Sequence, residues 1–302
     1  MSIPMPTELQ VDAFARHLAV ERHRAASTVR GYRAELLDLV RRGVPFEREA
    51  LGMWIQTGET GKLAINTRNR RLVVLRLFVR FLLDRGELVE DPTVGLTRAR
   101  LPRTTRTAFT VPELQRVVAV ARREAVPWRA TRDETVIRVL FATGLRINEI
   151  RTLDVLQVDL AARWLRTVIR KGAVMTDVPL NDDAIDALTG WLQIRPSTSS
   201  TALFTSGEGG GRLTVRSYQK RLAELGEAAG LAQRLHPHAL RHAHATGLLR
   251  VGTSTAIIQQ SLSHASIVTT QRYLHSDLDL LRAALVRLPG LGQTGKTNKN
   301  KP

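Results

Sequence analysis

The most informative stretch of the chain is HPHALRHAHATGLL, residues 236–249. On a helix, His238, Arg241 and His242 stand at positions i, i+3 and i+4, so their side chains share one face. Zinc binds histidines at this spacing, whereas an arginine fork with flanking imidazole donors binds phosphate oxygens. Because Arg241 would place a fixed cation beside the metal, we favour the phosphate clamp and keep the zinc site as its rival. That zinc site would use His236, His238, His242 and His244.

The composition also indicates an anionic partner. Of 302 residues, 45 are Lys or Arg and 28 are Asp or Glu, a net charge of +17. A protein this basic usually binds a polyanion, so we expect nucleic acid, with an acidic membrane surface as the competing interpretation. The absence of cysteine excludes disulfides, thiolate zinc sites and a cysteine nucleophile. With no apolar run near ~20 residues and no signal-peptide pattern, we expect a cytoplasmic protein without a membrane partner.

Apolar periodicity divides the chain into two domains. Residues 7–22, 27–42 and 66–86 repeat apolar side chains at helical spacing. Short β-branched runs joined by turns at 155–180 predict a small antiparallel sheet, and helical patterns return over 183–288. The predicted fold is therefore mainly α with a small antiparallel β-sheet. Its predicted parts are a helical domain over 1–100, a basic linker over 101–108, a mixed α/β domain over 109–290 and a disordered basic tail over 291–302.

Local signals mark boundaries in the second half. Thr110 with Glu113, and Thr131 with Glu134, have the spacing of capping boxes and predict two helix starts. Before them, RARLPRTTR at residues 98–106 holds four arginines and no acid. We interpret it as an extended strap that faces phosphates, with an ordinary surface loop as the alternative.

Three further stretches each present residues able to do chemistry. They are ATGLRINEIRTL at 142–153, the predicted hairpin turn at 170–172 and SLSHASIVTTQRYLH at 261–275. The residues that they present are Arg146, Lys171, His264 and Tyr273. Each has an ordinary explanation alone, because arginines beside helix breaks and turn lysines are usually exposed, and most tyrosines are amphipathic core residues.

Taken in order, these stretches resemble the tyrosine recombinase family, closest to its Xer and phage-integrase branch. The ordered set is GLRINE, a hairpin lysine before glycine, HxLRH, a leucine–small residue–histidine element and TTQRY. The resemblance implies an N-terminal helical core-binding domain followed by a mixed α/β catalytic domain. Two departures stand out: Ser263 replaces a frequent glycine, and Arg170-Lys171-Gly172 replaces a frequent glycine-lysine-glycine.

The resemblance implies a role for each matching residue. Arg146 and Arg241 would clamp the scissile phosphate, with Glu149 supporting Arg146. Tyr273 would be the nucleophile and Lys171 the acid that protonates the leaving 5′ oxygen. The other implied site residues are His238, which would accept the tyrosine proton, His264, and His242 in support.

The implied activity is site-specific DNA recombination through a 3′-phosphotyrosyl intermediate, with no metal, cofactor or ATP. Implied partners are a specific duplex target, other protomers in a tetrameric synapse, and a second recombinase or accessory protein, all at the nucleoid. Chromosome-dimer resolution and integration or excision of a mobile element both stay open. Residues expected to contact the DNA backbone are Arg76, Arg80, Arg98, Arg100, Arg103 and Arg106.

Several alternatives remain at this point. Related chemistry would suit a relaxing enzyme similar to type IB topoisomerases or a hairpin-forming resolvase. Other classes are a DNA-binding protein with a vestigial site and the zinc enzyme above. The helix after Tyr273 also has two interpretations, since its apolar face could pack on its own domain or on a neighbouring protomer. That face comprises Leu281, Ala284, Leu285 and Leu288.

Overall fold

The computed structural model describes residues 4–100, 107–170, 174–207, 209–263 and 274–292. The chain forms two compact units, Met1–Thr105 and Arg106–Pro302. Each unit has its own hydrophobic core. In the described ranges, no helix is both long enough and apolar enough to cross a bilayer.

The described part of the N-terminal unit is helical, with one small hairpin. Its first helix begins where Thr7 and Gln10 form a capping box. The helices are α1 (Glu8–Val20), α2 (Ala26–Arg41), α3 (Arg48–Gln56) and α4 (Ile65–Asp84). Between α3 and α4, strands β1 (Thr57–Gly58) and β2 (Gly61–Lys62) pair antiparallel.

The core of this unit forms around α4. Leu72, Leu75 and Phe78 are at most 1% exposed, because their helical spacing places them on one inward face. Arg71 on the same helix is also buried; its Nη2 donates to Asp38 at 2.9 Å and its Nη1 to the Trp54 carbonyl at 2.7 Å. This buried arginine therefore links α2, α3 and α4 through hydrogen bonds of its two terminal nitrogens.

The C-terminal unit is built around α6 (Pro127–Thr143), whose residues 135–143 are all buried. It packs against α5, α8 and α10. The other helices here are α5 (Val111–Ala121), α7 (Ile147–Thr152), α8 (Asp182–Ile194), α9 (Val215–Ala228), α10 (Pro237–Arg250), α11 (Thr255–Ser263) and α12 (Leu274–Arg287).

A three-stranded antiparallel sheet in the described residues confirms the predicted fold class. The strands are β3 (Val158–Asp159), β4 (Trp164–Ile169) and β5 (Met175–Pro179), with β4 in the middle. Leu165 lies opposite Val158 on one side and Val178 on the other. The Arg170 N–H donates to the Val174 carbonyl at 2.7 Å, which closes the β4–β5 hairpin.

One predicted helix start is right and one is wrong. Thr110 and Glu113 form the expected capping box. By contrast, α6 begins at Pro127, because proline fits the first helical turn, where no N–H partner is needed. Thr131 thus lies inside the helix, and its hydroxyl donates to the Pro127 carbonyl at 3.1 Å.

The last described helix packs on its own unit. The apolar face of α12 lies in the core of the C-terminal unit, so the face packs in cis. Leu291 is also buried, and the Gly292 N–H donates to Asp183 at 3.0 Å. The packed structure therefore extends past the predicted start of the tail at 291, while residues 293–302 lie outside the described residues.

Candidate active site

The C-terminal end of α6 sets the position of Arg146. Gly144 ends the helix with a left-handed φ of 61°. A Cβ at this position would lie 2.5 Å from His244 and 2.9 Å from Leu262, so only glycine fits. Two residues later, Arg146 is the N-cap of α7, with a side chain that is 33% exposed. The sharp turn thus presents this arginine at the surface on a fixed backbone.

Arg241 reaches the same turn from α10. Its guanidinium donates to the carbonyls of Gly144 and Leu262. Burial, and then the charge of nearby Arg146, lowers the pKa of Arg241 to about 10, so the group stays protonated at neutral pH. The guanidinium has further N–H groups beyond these two contacts. The structure therefore brings the two predicted clamp arginines together.

Glu149 lies beneath this pair and is 3% exposed. Its Oε1 accepts from Arg146 Nη1 at 3.0 Å, and its Oε2 accepts from the Arg146 backbone N–H at 2.7 Å. The carboxylate thus holds both the backbone and the side chain of Arg146.

A third arginine, Arg170, completes the cluster, and the sequence analysis assigned it no role. It is 5% exposed, and its Nη1 donates to Glu149 Oε2 at 3.0 Å. Its Nε donates to the Thr176 hydroxyl at 3.1 Å, and its Nη2 to the Ser261 carbonyl at 3.4 Å. Burial lowers the pKa of Arg170, although Glu149 opposes the shift. The signal in the sequence was the departure from glycine-lysine-glycine at this position.

The four histidines of the rival zinc site do not gather. His236 caps α10 by accepting a backbone N–H at 3.2 Å. His244 is buried, with Nδ1 2.7 Å from the Phe141 carbonyl, whereas His238 and His242 are exposed. Within the described ranges, no cluster of three or more potential metal ligands occurs. The described residues therefore do not form the four-histidine cluster that the rival zinc interpretation requires.

Three predicted catalytic residues, Lys171, His264 and Tyr273, lie outside the described residues. The other two tyrosines are described. Tyr218 is 4% exposed, and burial strongly raises the pKa of its hydroxyl. Tyr32 is half-buried against the core of the N-terminal unit.

The arginines predicted to contact the DNA backbone differ in their surroundings. Arg76 and Arg80 are exposed on α4; the first donates to a loop carbonyl and the second pairs with Asp84 at 2.9 Å. Arg98 and Arg100 are exposed and have no side-chain hydrogen bond or ion pair with any described residue. The remaining two, Arg103 and Arg106, lie outside the described residues.

A groove beside α9 was not predicted from the sequence. It has a volume of about 740 Å³. Three cations, Arg216, Lys220 and Arg234, and two carboxylates, Glu224 and Glu227, line it; Lys220 pairs with Glu224 at 3.8 Å. The lining is therefore of mixed charge, with one more cation than carboxylate.

Family models match both halves of the chain. The model of the phage integrase family matches residues 108–279, and the phage integrase N-terminal SAM-like domain matches residues 11–86. Among curated proteins, tyrosine recombinase XerC of Azotobacter vinelandii is 35% identical over 91% of this chain and 94% of the relative. Tyrosine recombinase XerC of Yersinia pestis is 31% identical over 90% of this chain and 91% of the relative.

Solved structures share the fold. The Tn1549 transposon integrase in complex with circular intermediate DNA gives a TM-score of 0.67 at 19% identity, covering 91% of this chain and 98% of that one. A lambda integrase tetramer bound to a Holliday junction gives a TM-score of 0.68 at 18% identity, covering 86% of this chain and 78% of that one. At these identities the likeness shows the common architecture.

Proposed function

The chain belongs to the phage integrase family and is a tyrosine-type site-specific recombinase, and we propose that it cuts and rejoins duplex DNA through a 3′-phosphotyrosyl intermediate. The observation that carries this mechanism is the pairing of Arg146 with Arg241 at the α6–α7 turn, over the buried carboxylate of Glu149. Two fixed cations with unused N–H groups suit a phosphodiester.

The proposed chemistry needs positive charge at the phosphate and two proton transfers. The Tyr273 oxygen attacks phosphorus, the bond to the 5′ oxygen breaks, and charge that develops on the non-bridging oxygens is stabilised by Arg146 and Arg241. His238 takes the tyrosine proton, and Lys171 gives a proton to the leaving 5′ oxygen. Rejoining is the reverse attack by a 5′ hydroxyl, so the bond energy is retained and no ATP is needed.

The assignment of Tyr273 as nucleophile is supported by the state of the other tyrosines. Tyr218 is buried, and its raised pKa disfavours the phenolate that attack requires. Tyr32 packs against the core of the N-terminal unit, whereas the arginine cluster belongs to the C-terminal unit. His264 is the proposed further donor to the phosphate, with His242 in support on the exposed part of α10.

We also propose that the arginines of the 98–106 segment bind the DNA backbone. The similar lambda integrase forms a tetramer on a Holliday junction, and a tetrameric synapse is the assembly proposed for this chain. Because its curated relatives are named XerC, we favour an Xer-type role. Sequencing of the sites cleaved in genomic DNA would distinguish chromosome-dimer resolution from integration or excision of a mobile element. The first uses a chromosomal site, whereas mobile elements use their own ends.

The proposed function is tested with a nicked suicide DNA substrate that traps the covalent intermediate. Wild-type protein should form an adduct, in excess chelator as well, because the arginines supply the charge. Tyr273→Phe should bind DNA and form none, whereas Tyr218→Phe, the matched buried control, should form it normally. An adduct with Tyr273→Phe, or activity that chelator abolishes and zinc restores, would overturn the proposal.

A further inference from the structure

Arg170 joins three elements from a buried position. Its guanidinium contacts Glu149 on α7, Thr176 on β5 and the carbonyl of Ser261 on α11. Its own backbone N–H closes the hairpin through Val174. Because the side chain is only 4% exposed, it cannot reach a DNA phosphate. Any effect of Arg170 on the reaction must therefore pass through the residues that it holds.

The charges around Glu149 indicate what that effect is. One buried carboxylate faces two arginines: Oε1 accepts from the Arg146 side chain, and Oε2 accepts from the Arg170 side chain and the Arg146 backbone. A lone carboxylate prefers a bidentate pair with one guanidinium fork. With Oε2 already occupied, Arg146 engages Glu149 with one nitrogen and keeps its second for another ligand.

We propose that Arg170 is a positioning residue that binds one carboxylate oxygen of Glu149, Oε2. The carboxylate then orients Arg146 without pairing with both terminal nitrogens of that side chain. The inference rests on the proposed function, in which Arg146 binds the scissile phosphate. Arg170 also holds the Ser261 carbonyl, one residue before the Leu262 carbonyl that Arg241 holds. The same guanidinium thus supports the surroundings of both clamp arginines.

The geometric claim is tested by a crystal structure of Arg170→Met, which removes the charge and keeps an unbranched chain. We expect Arg146 to rotate onto both oxygens of Glu149. An Arg146 that keeps its single side-chain contact to Oε1 would overturn the proposal. This result can be obtained whether or not the protein cleaves DNA, so it separates this inference from the proposed function.

The kinetic claim uses single-turnover cleavage of the suicide substrate together with DNA affinity. Arg170→Met should slow cleavage by about 10²-fold, the effect of a small misplacement of a reacting group, with unchanged affinity. The matched control is Arg166→Met, since Arg166 lies on the same strand and pairs with Asp159 and Asp177 at the surface. The control should cleave like wild type. Equal rates for both variants, or a parallel loss of DNA affinity with Arg170→Met, would contradict a positioning role.

A double variant separates charge balance from simple structural support. If the unbalanced carboxylate draws Arg146 away, then Glu149→Gln in the Arg170→Met background should release it and restore part of the rate. Damaged packing instead predicts a double variant that is no faster than Arg170→Met. Should Arg170→Met fail to fold, Arg170→Lys and Arg170→Gln replace it; the lysine variant retains the charge and should cleave faster than the glutamine variant, and the opposite order overturns the proposal.

Discussion

His244 lies on α10, 1% exposed, with its Nδ1 2.7 Å from the Phe141 carbonyl. Its Nε2 has no hydrogen-bond partner among the described residues and faces the backbone of Gly144. Burial, together with the charge of Arg241, lowers the pKa of His244 from 6.5 to about 4. The imidazole is therefore neutral in the folded protein at physiological pH, and its Nδ1–H donates to the carbonyl.

This histidine makes folding stability depend on pH. The unfolded chain takes up its proton near pH 6.5, but the folded chain takes it up only near pH 4, so stability is full above pH 6.5 and falls as the pH drops towards 4. The difference between these two pKa values corresponds to about 3 kcal/mol in the free energy of unfolding. Urea unfolding across this range should show a flatter pH dependence for His244→Asn than for wild type. The exposed neighbour variant His242→Asn should keep the wild-type slope; equal slopes for wild type and His244→Asn would disprove the assignment.

At the scale of elements, the β4–β5 hairpin carries the proposed acid. Both ends of its turn are described: Arg170 is buried, and its N–H donates to the Val174 carbonyl at 2.7 Å. Lys171 follows directly after this anchored residue. The hairpin thus anchors the residue directly before the proposed acid.

The role of Lys171 can be isolated with a substrate whose bridging 5′ oxygen is replaced by sulfur. A general acid contributes about 10²- to 10⁴-fold, and a thiolate with a thiol pKa near ~8.5 leaves without that help. Lys171→Ala should therefore be slow on the oxygen substrate and close to wild type on the sulfur substrate. Arg146→Ala, the comparison, should be slow on both because it acts on the non-bridging oxygens. Equal impairment of Lys171→Ala on both substrates would mean that another residue protonates the leaving oxygen, and His264 is the next candidate.

The helices could be predicted from the sequence to different extents. The face of α4 was predictable because burial of Leu72, Leu75 and Phe78 follows the helical period. The start of α6 was predicted wrongly, because the Thr-x-x-Glu spacing at Thr131 also fits the interior of a helix. The preceding proline is the local signal that distinguishes a helix start from a helix interior here.

The site shows the same division between local and tertiary information. Arg146 and Arg241 could be assigned from motifs that the chain shares with a family. Arg170 could not, because its partners Glu149 and Ser261 are 21 and 91 residues away in the chain. Only packing of α7, α11 and the hairpin brings them together, and no periodicity encodes that contact.

At the scale of the whole molecule, the net charge of +17 should govern DNA affinity. Part of the basic 98–106 segment is held in place, since the Asn69 side chain bonds both the N–H and the carbonyl of Ala99 at 2.9 Å. Exposed Arg98 and Arg100 flank this anchored residue without carboxylate partners among the described residues. They are therefore available to neutralise phosphates.

Salt dependence measures how many phosphates this segment contacts. The slope of log K against log salt should be steep and should flatten by about 0.9 for each lost contact. Replacing all four segment arginines with glutamine should reduce it; they are Arg98, Arg100, Arg103 and Arg106. A control removes the same charge from arginines paired with carboxylates and should change the slope less. Its positions are Arg33, Arg85, Arg163 and Arg166. An unchanged slope in the first variant would mean that the segment does not touch the backbone.

Peptide mapping of the trapped adduct measures whether Tyr273 becomes covalently bound to a 3′ phosphate of DNA. After nuclease and protease digestion, mass spectrometry should find the nucleotide on the peptide that contains Tyr273, and the released strand should carry a free 5′ hydroxyl. A nucleotide on Tyr32, on Tyr218 or on a residue other than tyrosine, or a linkage through a 5′ phosphate, would contradict the account.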